Sequence, residues 1–398
     1  MSLIGQKVTV VGAGVAGLAV ARALALRGAS VTVLEQADAI REVGAGLQIS
    51  PNGAAVLRAL GLQEALDAAS MRAEAVALID GPTGDGVARL DLARLRPGQG
   101  YHFLHRADLI ALLLAAATEA GVNLRLLSRI ESVDLSGPTP AVLLEGGERL
   151  ESPLLIGADG LHSRLRTALN GEETPFFTGQ VAWRAVIPAE PNPQPVAEVH
   201  MGPGRHLVSY PLRGGTLRNI VAVEERQKWA EESWTLRDDP MDLRLAFAGF
   251  SPRVRAWLDQ VEDPWLWGLF RHPVAGIWTR SLPQGAVAIL GDAAHPTLPF
   301  LAQGASMALE DAWVLADVLA KHDTVAAALA AYQTLRKPRT TRIVAAANAN
   351  ARAYHLSGLP RMIGHSGMRL LGRVSPGTML SRFDWLYGHD VTLAGPQG

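Results

Sequence analysis

The chain has 398 residues, and 48% of them are hydrophobic, which is enough to bury a large core in roughly two or three lobes. Lys and Arg number 37 and Asp and Glu number 38, so the formal net charge is -1 and no global field recruits nucleic acid or an anionic membrane. There are no cysteines, which excludes disulfides, thiolate metal sites, cysteine nucleophiles and redox dithiols.

The N-terminal residues do not read as a cleavable signal, because residues 1–11 carry a single Lys7 and run directly into a structural motif. The longest notable apolar run, residues 109–117, is bounded by Asp108 and Glu119 and is far shorter than the ~20 residues of a membrane span. We therefore expect a cytoplasmic protein, a monomer or homodimer, with no membrane or nucleic-acid partner.

The first motif is a glycine turn between a strand and a helix. An apolar strand at residues 8–11 is followed by GAGVAG and an Ala/Leu-rich helix at 18–26. Gly12 permits the tight turn, Gly14 lets backbone N–H groups approach a pyrophosphate, and Gly17 lets the helix pack on the strand. A second strand, 31–34, ends in Glu35, which can accept hydrogen bonds from ribose hydroxyls. The unit predicts dinucleotide binding but does not choose between NAD and FAD.

Two later segments have the same strand-then-turn pattern. LLIGADGLHSRLR, residues 154–166, places Asp159 just after an apolar strand, and VAILGDAAHP, residues 287–296, places Asp292 likewise. A helix follows the second segment and includes Gln303, Glu310 and Asp311. Residues just past the carboxyl ends of strands line the ligand crevice of an open α/β sheet, so we expect both aspartates there.

These motifs together resemble those of the class A flavin-dependent aromatic hydroxylases, which have the p-hydroxybenzoate hydroxylase fold. The resemblance rests on GAGVAG, GADGLHSRLR and GDAAHPTLPFLAQGASMALEDA, which extend from near the start of the chain to about residue 315. The last of these and the ending FDWLYG look most like salicylate, 3-hydroxybenzoate and 6-hydroxynicotinate hydroxylases. The resemblance implies a single-component monooxygenase that binds FAD, uses NADH or NADPH and O2, and hydroxylates a small aromatic or heteroaromatic acid through a flavin C4a-hydroperoxide.

The resemblance also implies a cofactor site. Glu35 would hold the adenosine ribose, Arg106 the phosphate or ribityl region, Asp292 the ribityl chain, and Asp159 would lie near the pyrophosphate. The helix beginning near Gly304 would point its positive end at the flavin pyrimidine ring. The complete expected set is Gly12, Gly14, Ala16, Gly17, Glu35, Gln36, Arg41, Ala45, Gln48, Arg106, Asp159, Asp292, Gly304 and Ala305.

Structural alternatives stand beside these roles. Arg106 and Asp108 could pair at a helix start, and Asp159 and Asp292 could be turn residues that satisfy their own backbone. The glycine-rich segment 43–52 resembles the family's mobile flavin loop, although a plain surface loop remains an alternative. Gln48 within it stands where some relatives that act on pyridines carry a histidine.

The predicted fold class is α/β, a Rossmann-like FAD-binding domain with an inserted antiparallel sheet and a C-terminal helical segment. Residues 1–71, 101–173 and 273–340 are assigned to the FAD-binding domain, 72–100 and 174–272 to the substrate domain, and 341–398 to the helical segment. Alternating apolar runs at 198–210 and 217–224 predict antiparallel strands in the substrate domain.

The candidate catalytic residues are His206 and Tyr210, which share one face of a strand because they are four positions apart. Tyr210 would hydrogen-bond the developing phenolate, and His206 would accept or relay the phenolic proton. The structural alternative is a core tyrosine with a histidine near the rim. Five further residues are candidates for the substrate pocket: Trp183, Arg184, Pro299, Phe300 and Gln303.

Pro299 and Phe300 stand where the 3-hydroxybenzoate type carries a polar side chain, so that regiochemistry is not assigned. His162 and His295 lack a second ligand at suitable spacing, and we expect no metal. The alternatives are a flavin reductase, an oxygenase of a non-aromatic compound, or a flavin-binding protein without activity. No second glycine fingerprint follows Gly17, which favours the hydroxylase over the reductase.

Overall fold

The computed structural model describes residues 2–40, 45–226 and 236–393. Strands and helices are numbered in chain order. A central sheet has the strand order β18–β19–β12–β1–β2–β8, and every neighbouring pair is parallel except β18 with β19. Its strands are β1 (Lys7–Val11), β2 (Ser30–Leu34), β8 (Asn123–Arg125), β12 (Leu154–Gly157), β18 (Thr279–Leu282) and β19 (Gly285–Ile289).

The central sheet is covered by helices whose apolar faces form the largest core of the protein. The helices of this part are α1 (Val15–Ala25), α2 (Pro51–Ala59), α3 (Gln63–Ala69), α5 (Arg106–Glu119), α6 (Arg164–Asn170), α9 (Gly304–Lys321) and α10 (Val325–Tyr354). The carboxyl ends of β1, β12 and β19 meet at one edge because these strands are parallel neighbours. Helix α10 runs through residue 340, so the expected boundary there falls inside a helix.

A second, seven-stranded sheet has the order β17–β13–β16–β15–β14–β5–β6. Only the β14–β5 pair is parallel, and the other pairs are antiparallel. Its strands are β5 (Ala75–Asp80), β6 (Gly86–Asp91), β13 (Phe176–Pro188), β14 (Val196–Gly202), β15 (Arg205–Leu212), β16 (Leu217–Glu225) and β17 (Trp265–Arg271). The strands predicted at 198–210 and 217–224 are therefore confirmed as β14, β15 and β16.

The remaining elements are small sheets and peripheral helices. One three-stranded sheet is β3 (Gly46–Ile49), β7 (His102–His105) and β4 (Met71–Arg72), and another is β11 (Arg149–Glu151), β10 (Ala141–Leu144) and β9 (Ile130–Asp134). The other helices are α4 (Leu92–Leu95), α7 (Pro240–Ala246), α8 (Pro252–Leu258), α11 (Gly358–Val374), α12 (Pro376–Ser381) and α13 (Asp384–Tyr387). Residues of α7 and α8 pack on one face of the seven-stranded sheet and leave its opposite face toward the central sheet's crevice.

Candidate active site at the cofactor crevice

The glycine turn after β1 has the geometry of a phosphate cradle. Gly12 has φ +98°, and a Cβ there would lie 2.5 Å from the carbonyl oxygen of Ala158. A Cβ on Gly17 would lie 1.9 Å from the carbonyl oxygen of Gly12. Gly14 begins α1 without a side-chain cap and borders open space. The unpaired N–H groups at a helix start can bind a pyrophosphate, so the turn fits the role predicted for it.

The acidic residue after β2 is tied to this turn. One carboxylate oxygen of Glu35 accepts a hydrogen bond from the Ala13 N–H at 2.8 Å, and the other accepts from the Ala37 N–H at 3.0 Å. Gln36 beside it is exposed. Arg41, also expected at the cofactor, lies outside the described residues. The two hydrogen bonds fix the Glu35 carboxylate at the edge of the crevice, where the ribose of a dinucleotide would lie.

The two later aspartates differ in their surroundings. Asp159 accepts hydrogen bonds from the Ser163 hydroxyl at 2.5 Å and from the Arg164 N–H at 2.8 Å, which fits the alternative of a turn residue. Burial raises the pKa of its carboxyl. Asp292, after β19, is exposed, and Arg106 is near enough to influence its charge. The polar side of the crevice thus combines an exposed carboxylate with a cation, which suits ribityl hydroxyls and phosphate.

The structural alternative, in which Arg106 pairs with Asp108, is not observed, since Asp108 pairs instead with Arg213, at 2.8 Å and 3.0 Å.

Within the segment that resembles the family's mobile flavin loop, residues 46–49 form a strand and residue 51 begins a helix. Gly46 and Gln48 belong to β3, which pairs with β7, and residues 43 and 44 lie outside the described residues. The Gly46 N–H donates to the side-chain oxygen of Asn219 at 2.8 Å, and the backbone oxygen of Ala45 accepts from the Arg106 N–H at 2.9 Å. Strand pairing and these two bonds explain why residues 46–49 form a strand rather than a loop.

Tyr210 lies on the face of the seven-stranded sheet that is turned toward the crevice. It pairs with Asn219 across β15 and β16, and its ring stacks on Phe103 with centroids 5.0 Å apart. The side chains of Gln48 and Asn219 lie near its hydroxyl. Burial is the main reason that the pKa of Tyr210 is raised, to about 12. The phenol is therefore neutral at physiological pH and can donate a hydrogen bond.

Arg184 occupies the same face. Its cross-strand partner is Val221, two positions from Asn219, and side chains alternate along a strand. The guanidinium donates to the Gly46 carbonyl at 2.7 Å and stacks over Trp267 at 4.4 Å. Its Nε and the Asn219 side-chain Nδ2 are both buried without a hydrogen-bond partner in the described part of the chain. Two unsatisfied donors therefore lie close to the Tyr210 hydroxyl.

Trp183 was expected to line the substrate pocket, and the structure corrects this. Adjacent residues of a strand point to opposite faces, so Trp183 and Arg184 cannot share a cavity. The Trp183 ring packs against Phe247 beneath α7, with centroids 6.3 Å apart, and its Nε1 donates to Asp238 at 2.8 Å. It is a core residue between the seven-stranded sheet and helices α7 and α8.

His206 shares the crevice face with Tyr210, as the spacing predicted. Its cross-strand partner is Val223, which lies two positions from Val221 on β16 and therefore points to the same face. Its ring lies 5.7 Å from that of Phe300 and 5.1 Å from that of Tyr354, between ring centroids. Its Nδ1 is 2.7 Å from Nε2 of His355. Burial lowers the pKa of His206 well below its ordinary value, so its imidazole is neutral and can accept a proton.

The turn before α9 places the remaining pocket candidates. Pro299 is exposed, and Phe300 packs with Leu298 and Leu269 against the sheet face. Gln303 points the other way, since its amide donates to the Ser50 hydroxyl at 2.9 Å and accepts from Asn52 at 3.2 Å. Its hydrogen bonds fix the turn rather than reach the pocket.

Helix α9 begins beyond this turn without a side-chain cap. Gly304 and Ala305 form its first residues, and both are half-buried. The N–H groups of a first helical turn have no intrahelical partner and carry partial positive charge. This end of α9 therefore suits the oxygen atoms of a flavin pyrimidine ring.

A buried ionic network beneath α9 was not anticipated. Arg336 of α10 contacts Glu310 and Asp311, each at 2.7 Å, and all three side chains are at most 1% exposed. Arg339 also pairs with Glu310, and His295 contacts Asp311 at 2.5 Å. The sequence signal was a pair of adjacent acidic residues in an otherwise apolar helix, but these partners are between 16 and 29 positions away.

No cluster of three or more His, Cys, Asp or Glu side chains suitable for a metal occurs in residues 2–40, 45–226 and 236–393. His162 is exposed and His295 is buried against Trp278, with ring centroids 5.3 Å apart. Within the same ranges, no helix has the length and apolar character needed to cross a bilayer.

The fold and the crevice define a flavin-dependent enzyme, and comparison with known proteins agrees. Residues 6–347 match the family described as FAD binding domain. The chain belongs to this family, within the class A FAD-dependent aromatic hydroxylases, and is a flavin-dependent monooxygenase. The predicted fold class and FAD as cofactor are thereby confirmed.

Particular relatives cover almost the whole chain. It is 34% identical over 398 residues to 3-amino-4-hydroxybenzoate 2-monooxygenase PtnB3 of Streptomyces platensis, covering 98% of this chain and 97% of the relative. It is 34% identical over 394 residues to 3-hydroxybenzoate 6-hydroxylase of Polaromonas naphthalenivorans (strain CJ2), covering 96% of each. The crystal structure of Klebsiella pneumoniae HpxO complexed with FAD and uric acid aligns with TM-score 0.82 and 25% identity, covering 99% and 98% of the two chains.

Proposed function

We propose that this enzyme hydroxylates a small hydroxylated benzoate or a closely related heteroaromatic acid, with NADH or NADPH as the electron donor. The observation that carries the proposal is the Arg184 guanidinium on the crevice face. No carboxylate of the described residues forms an ion pair with it, and its Nε is buried without a partner. Arg184 is half-buried and its Nε is fully buried, and a cation in such a position without a counter-ion is unfavourable, so an anionic ligand is expected beside it.

The charge of Arg184 persists at neutral pH. Burial lowers the pKa of the guanidinium to about 10, which still leaves it protonated under physiological conditions. The Asn219 Nδ2 next to it supplies a second donor. A carboxylate of the substrate would accept from both groups, and a hydrogen bond between charged partners is stronger than a neutral one.

Apolar side chains give this face the character of an aromatic pocket. They belong to β13, β16, β17 and the turn before α9, and they are Ala182, Val221, Val223, Leu269, Leu298 and Phe300. A ring held by its carboxylate at Arg184 would pack against this wall. Tyr210 and His206 lie on the same face and meet polar substituents of that ring.

Tyr210 and His206 have complementary protonation states. The neutral Tyr210 phenol donates a hydrogen bond to a substrate oxygen that develops negative charge, and the neutral His206 accepts the phenolic proton. Loss of that proton makes the ring carbons more nucleophilic. Both groups thus prepare the ring for electrophilic oxygen.

The redox chemistry belongs to FAD, which takes a hydride from NAD(P)H and activates O2 when it is bound. The residues proposed to hold it are those assigned from the sequence: Gly12, Gly14, Ala16, Gly17, Glu35, Gln36, Arg41, Ala45, Gln48, Arg106, Asp159, Asp292, Gly304 and Ala305, of which Arg41 lies outside the described residues. The fit rests on the open space at Gly14, the tied carboxylate of Glu35 and the uncapped start of α9.

The proposed substrate class draws on the relatives. Their names specify 3-amino-4-hydroxybenzoate and 3-hydroxybenzoate, which both combine a carboxylate with a ring hydroxyl. The carboxylate matches the Arg184 guanidinium, and the ring hydroxyl matches Tyr210 and His206 on the same face. We also propose that the enzyme is cytoplasmic and is a monomer or a homodimer. Light scattering on the purified protein will distinguish the two oligomeric states.

The first experiment is a substrate screen with the FAD-loaded enzyme. Hydroxybenzoates, aminohydroxybenzoates and hydroxynicotinates are added with NADH or NADPH, and nucleotide oxidation is followed with mass spectrometry of the products. We expect one subset of acids to accelerate oxidation and to gain one oxygen atom. Acceleration by an acid without any oxygenated product would contradict the hydroxylase.

The second experiment isolates the Arg184 contact. Dissociation constants of 3-hydroxybenzoate and 3-hydroxybenzamide are measured by flavin fluorescence in the wild type and in Arg184→Met. The wild type should prefer the acid by roughly 10- to 100-fold, as a charged hydrogen bond contributes about 1.5–3 kcal/mol, and the variant should lose this preference.

Arg237→Met is the matched control, since Arg237 stacks over Trp265 as Arg184 does over Trp267 but is paired with Asp263. We expect it to retain the preference of the wild type. An unchanged preference in Arg184→Met would contradict the anchor.

A further inference from the structure

A chain of three side chains connects the crevice face with solvent. His206 Nδ1 lies 2.7 Å from His355 Nε2, and His355 Nδ1 lies 2.7 Å from Glu225 Oε1. The two histidines are 2% and 7% exposed, whereas the Glu225 side chain is 53% exposed. The three residues come from β15, the turn directly after α10 and the end of β16, so the fold assembles them from distant parts of the sequence.

The position of each proton in this series of three side chains can be derived by starting from its exposed member, Glu225. An ionised carboxylate only accepts hydrogen bonds, so His355 Nδ1 carries a proton and donates it to Glu225. Burial lowers the pKa of His355, which makes its imidazole neutral and leaves Nε2 as an acceptor. His206 Nδ1 must then carry a proton and donate it to His355. The lone pair of His206 Nε2 is consequently available, and no described residue bonds to that atom.

We propose that His355 and Glu225 extend His206 into a proton relay that carries the phenolic proton of the bound substrate from the crevice to solvent. The proposal rests on the proposed function for the identity of the proton donor. His206 would touch the substrate, while His355 and Glu225 act through it. A buried base without such an exit would retain a charge that its surroundings do not stabilise.

The proton balance closes without any additional reagent. The substrate O–H bond breaks and its proton binds His206 Nε2, the Nδ1 proton of His206 passes to His355 Nε2, and the Nδ1 proton of His355 passes to Glu225 or water. One proton leaves the ligand and one reaches the surface, and no electrons are transferred. Return of a proton to the product oxygen along the same path restores both starting tautomers.

Charged groups surround the solvent end of the relay, whereas its crevice end is uncharged. Arg205 lies next to His206 in β15 and pairs with Glu224, which also pairs with Arg226. The Arg205 charge disfavours a cationic His355, whereas Glu225 favours it. On the crevice side, the rings of Phe300 and Tyr354 contact His206 and carry no charge at neutral pH.

The first test measures tautomers and needs no substrate. Long-range ¹H–¹⁵N spectra of the FAD-loaded enzyme labelled at histidine report which ring nitrogen carries the proton, with His206→Gln used for assignment. We expect His206 protonated at Nδ1 in the wild type, and at Nε2 in a substantial fraction of His355→Phe. A His206 protonated at Nε2 in the wild type would overturn the relay.

The second test measures proton movement. Binding of 3-hydroxybenzoate is followed by stopped flow in weak buffer with a pH indicator, which requires binding but no turnover. His355→Gln keeps a hydrogen-bonding side chain but cannot relay, and should slow proton release at least about 10-fold, since positioned proton transfer contributes roughly 10²–10⁴-fold. Glu225→Gln, at an exposed position, should slow it less and serves if the histidine variant does not fold.

His365→Gln is the matched control. His365 is also a buried histidine of the C-terminal helices with a carboxylate partner, Asp80, but it has no contact with His206. It should release the proton at the wild-type rate. Equal rates in His355→Gln, Glu225→Gln and the wild type would overturn the relay. If no acid in the substrate screen accelerates nucleotide oxidation and gains oxygen, the proposed function is contradicted. The tautomer measurement, which needs no substrate, then tests the relay independently.

Discussion

Replacement of Arg336 by Met tests how strongly the buried network holds the floor of the crevice. Arg336 Nε donates to Asp311 at 2.7 Å and its terminal nitrogen contacts Glu310 at 2.7 Å. Both carboxylates have no measurable exposure. Met fills much of the same space but removes the charge, so each carboxylate loses a cation that it cannot replace with water.

The magnitude follows from what each carboxylate retains. Removal of one partner from a buried ion pair costs about 3–5 kcal/mol. Glu310 keeps Arg339 and the Asn52 amide, and Asp311 keeps His295 and the Gly291 N–H. We therefore expect the low end of the range, about 3 kcal/mol in the free energy of unfolding.

The assay is a urea titration of the FAD-loaded protein at pH 7 and constant FAD concentration, followed by far-UV circular dichroism. Arg342→Met is the control, because Arg342 lies on the same helix but is exposed over Trp385. It should lower the stability by about 1 kcal/mol at most. Adding Glu310→Gln to Arg336→Met should restore part of the loss. A loss below about 1 kcal/mol in Arg336→Met would show that Glu310 and Asp311 do not depend on Arg336.

Three further predictions concern the site and its pH dependence. Tyr210→Phe should keep substrate-stimulated NADH oxidation but lower hydroxylation roughly 10²–10³-fold and release H2O2, because a hydrogen-bond donor to developing negative charge is lost. Full coupling in this variant, measured as product formed per NADH oxidised, would make Tyr210 a packing residue. Gly17→Ala should not fold normally, because its Cβ would lie 1.9 Å from a carbonyl oxygen, whereas Gly14→Ala should fold but bind FAD weakly. Thermal melts will measure folding, and the flavin content of the purified variants will measure FAD binding. The surrounding arginines and Asn52 outweigh burial and hold the pKa of Glu310 at about 2, below its ordinary 4.5. Its contribution to stability is therefore complete above about pH 4.5 and lost as the pH falls toward 2, so the difference between wild type and Arg336→Met should shrink over that window in acid urea titrations.

Local motifs were predictable because their chemistry is contained in a short segment. The turn at Gly12–Gly17 requires glycines for backbone conformation and close approach, and each is visible in the sequence. The shared face of His206 and Tyr210 follows from the two-residue period of a strand. The same period could have excluded Trp183, because its neighbour Arg184 was assigned to the same pocket.

Non-local features could not be predicted in this way. Asn219 meets Tyr210 only because β15 and β16 adopt one register, and His355 is 149 positions from His206. The ordered strand at residues 46–49 depends on pairing with β7, more than 50 residues later. A single sequence shows composition and period, but not which strands and helices meet.

Isotope incorporation shows directly whether the enzyme transfers an oxygen atom from O2 to the ring of an aromatic acid. The FAD-loaded enzyme is supplied with NADH, ¹⁸O2 and the hydroxybenzoate that most accelerates NADH oxidation, and the product is analysed by mass spectrometry. We expect one ¹⁸O atom on the ring of each product molecule, and none when ¹⁸O is supplied as water. Rapid NADH oxidation that leaves the acid without ¹⁸O would contradict this oxygen transfer.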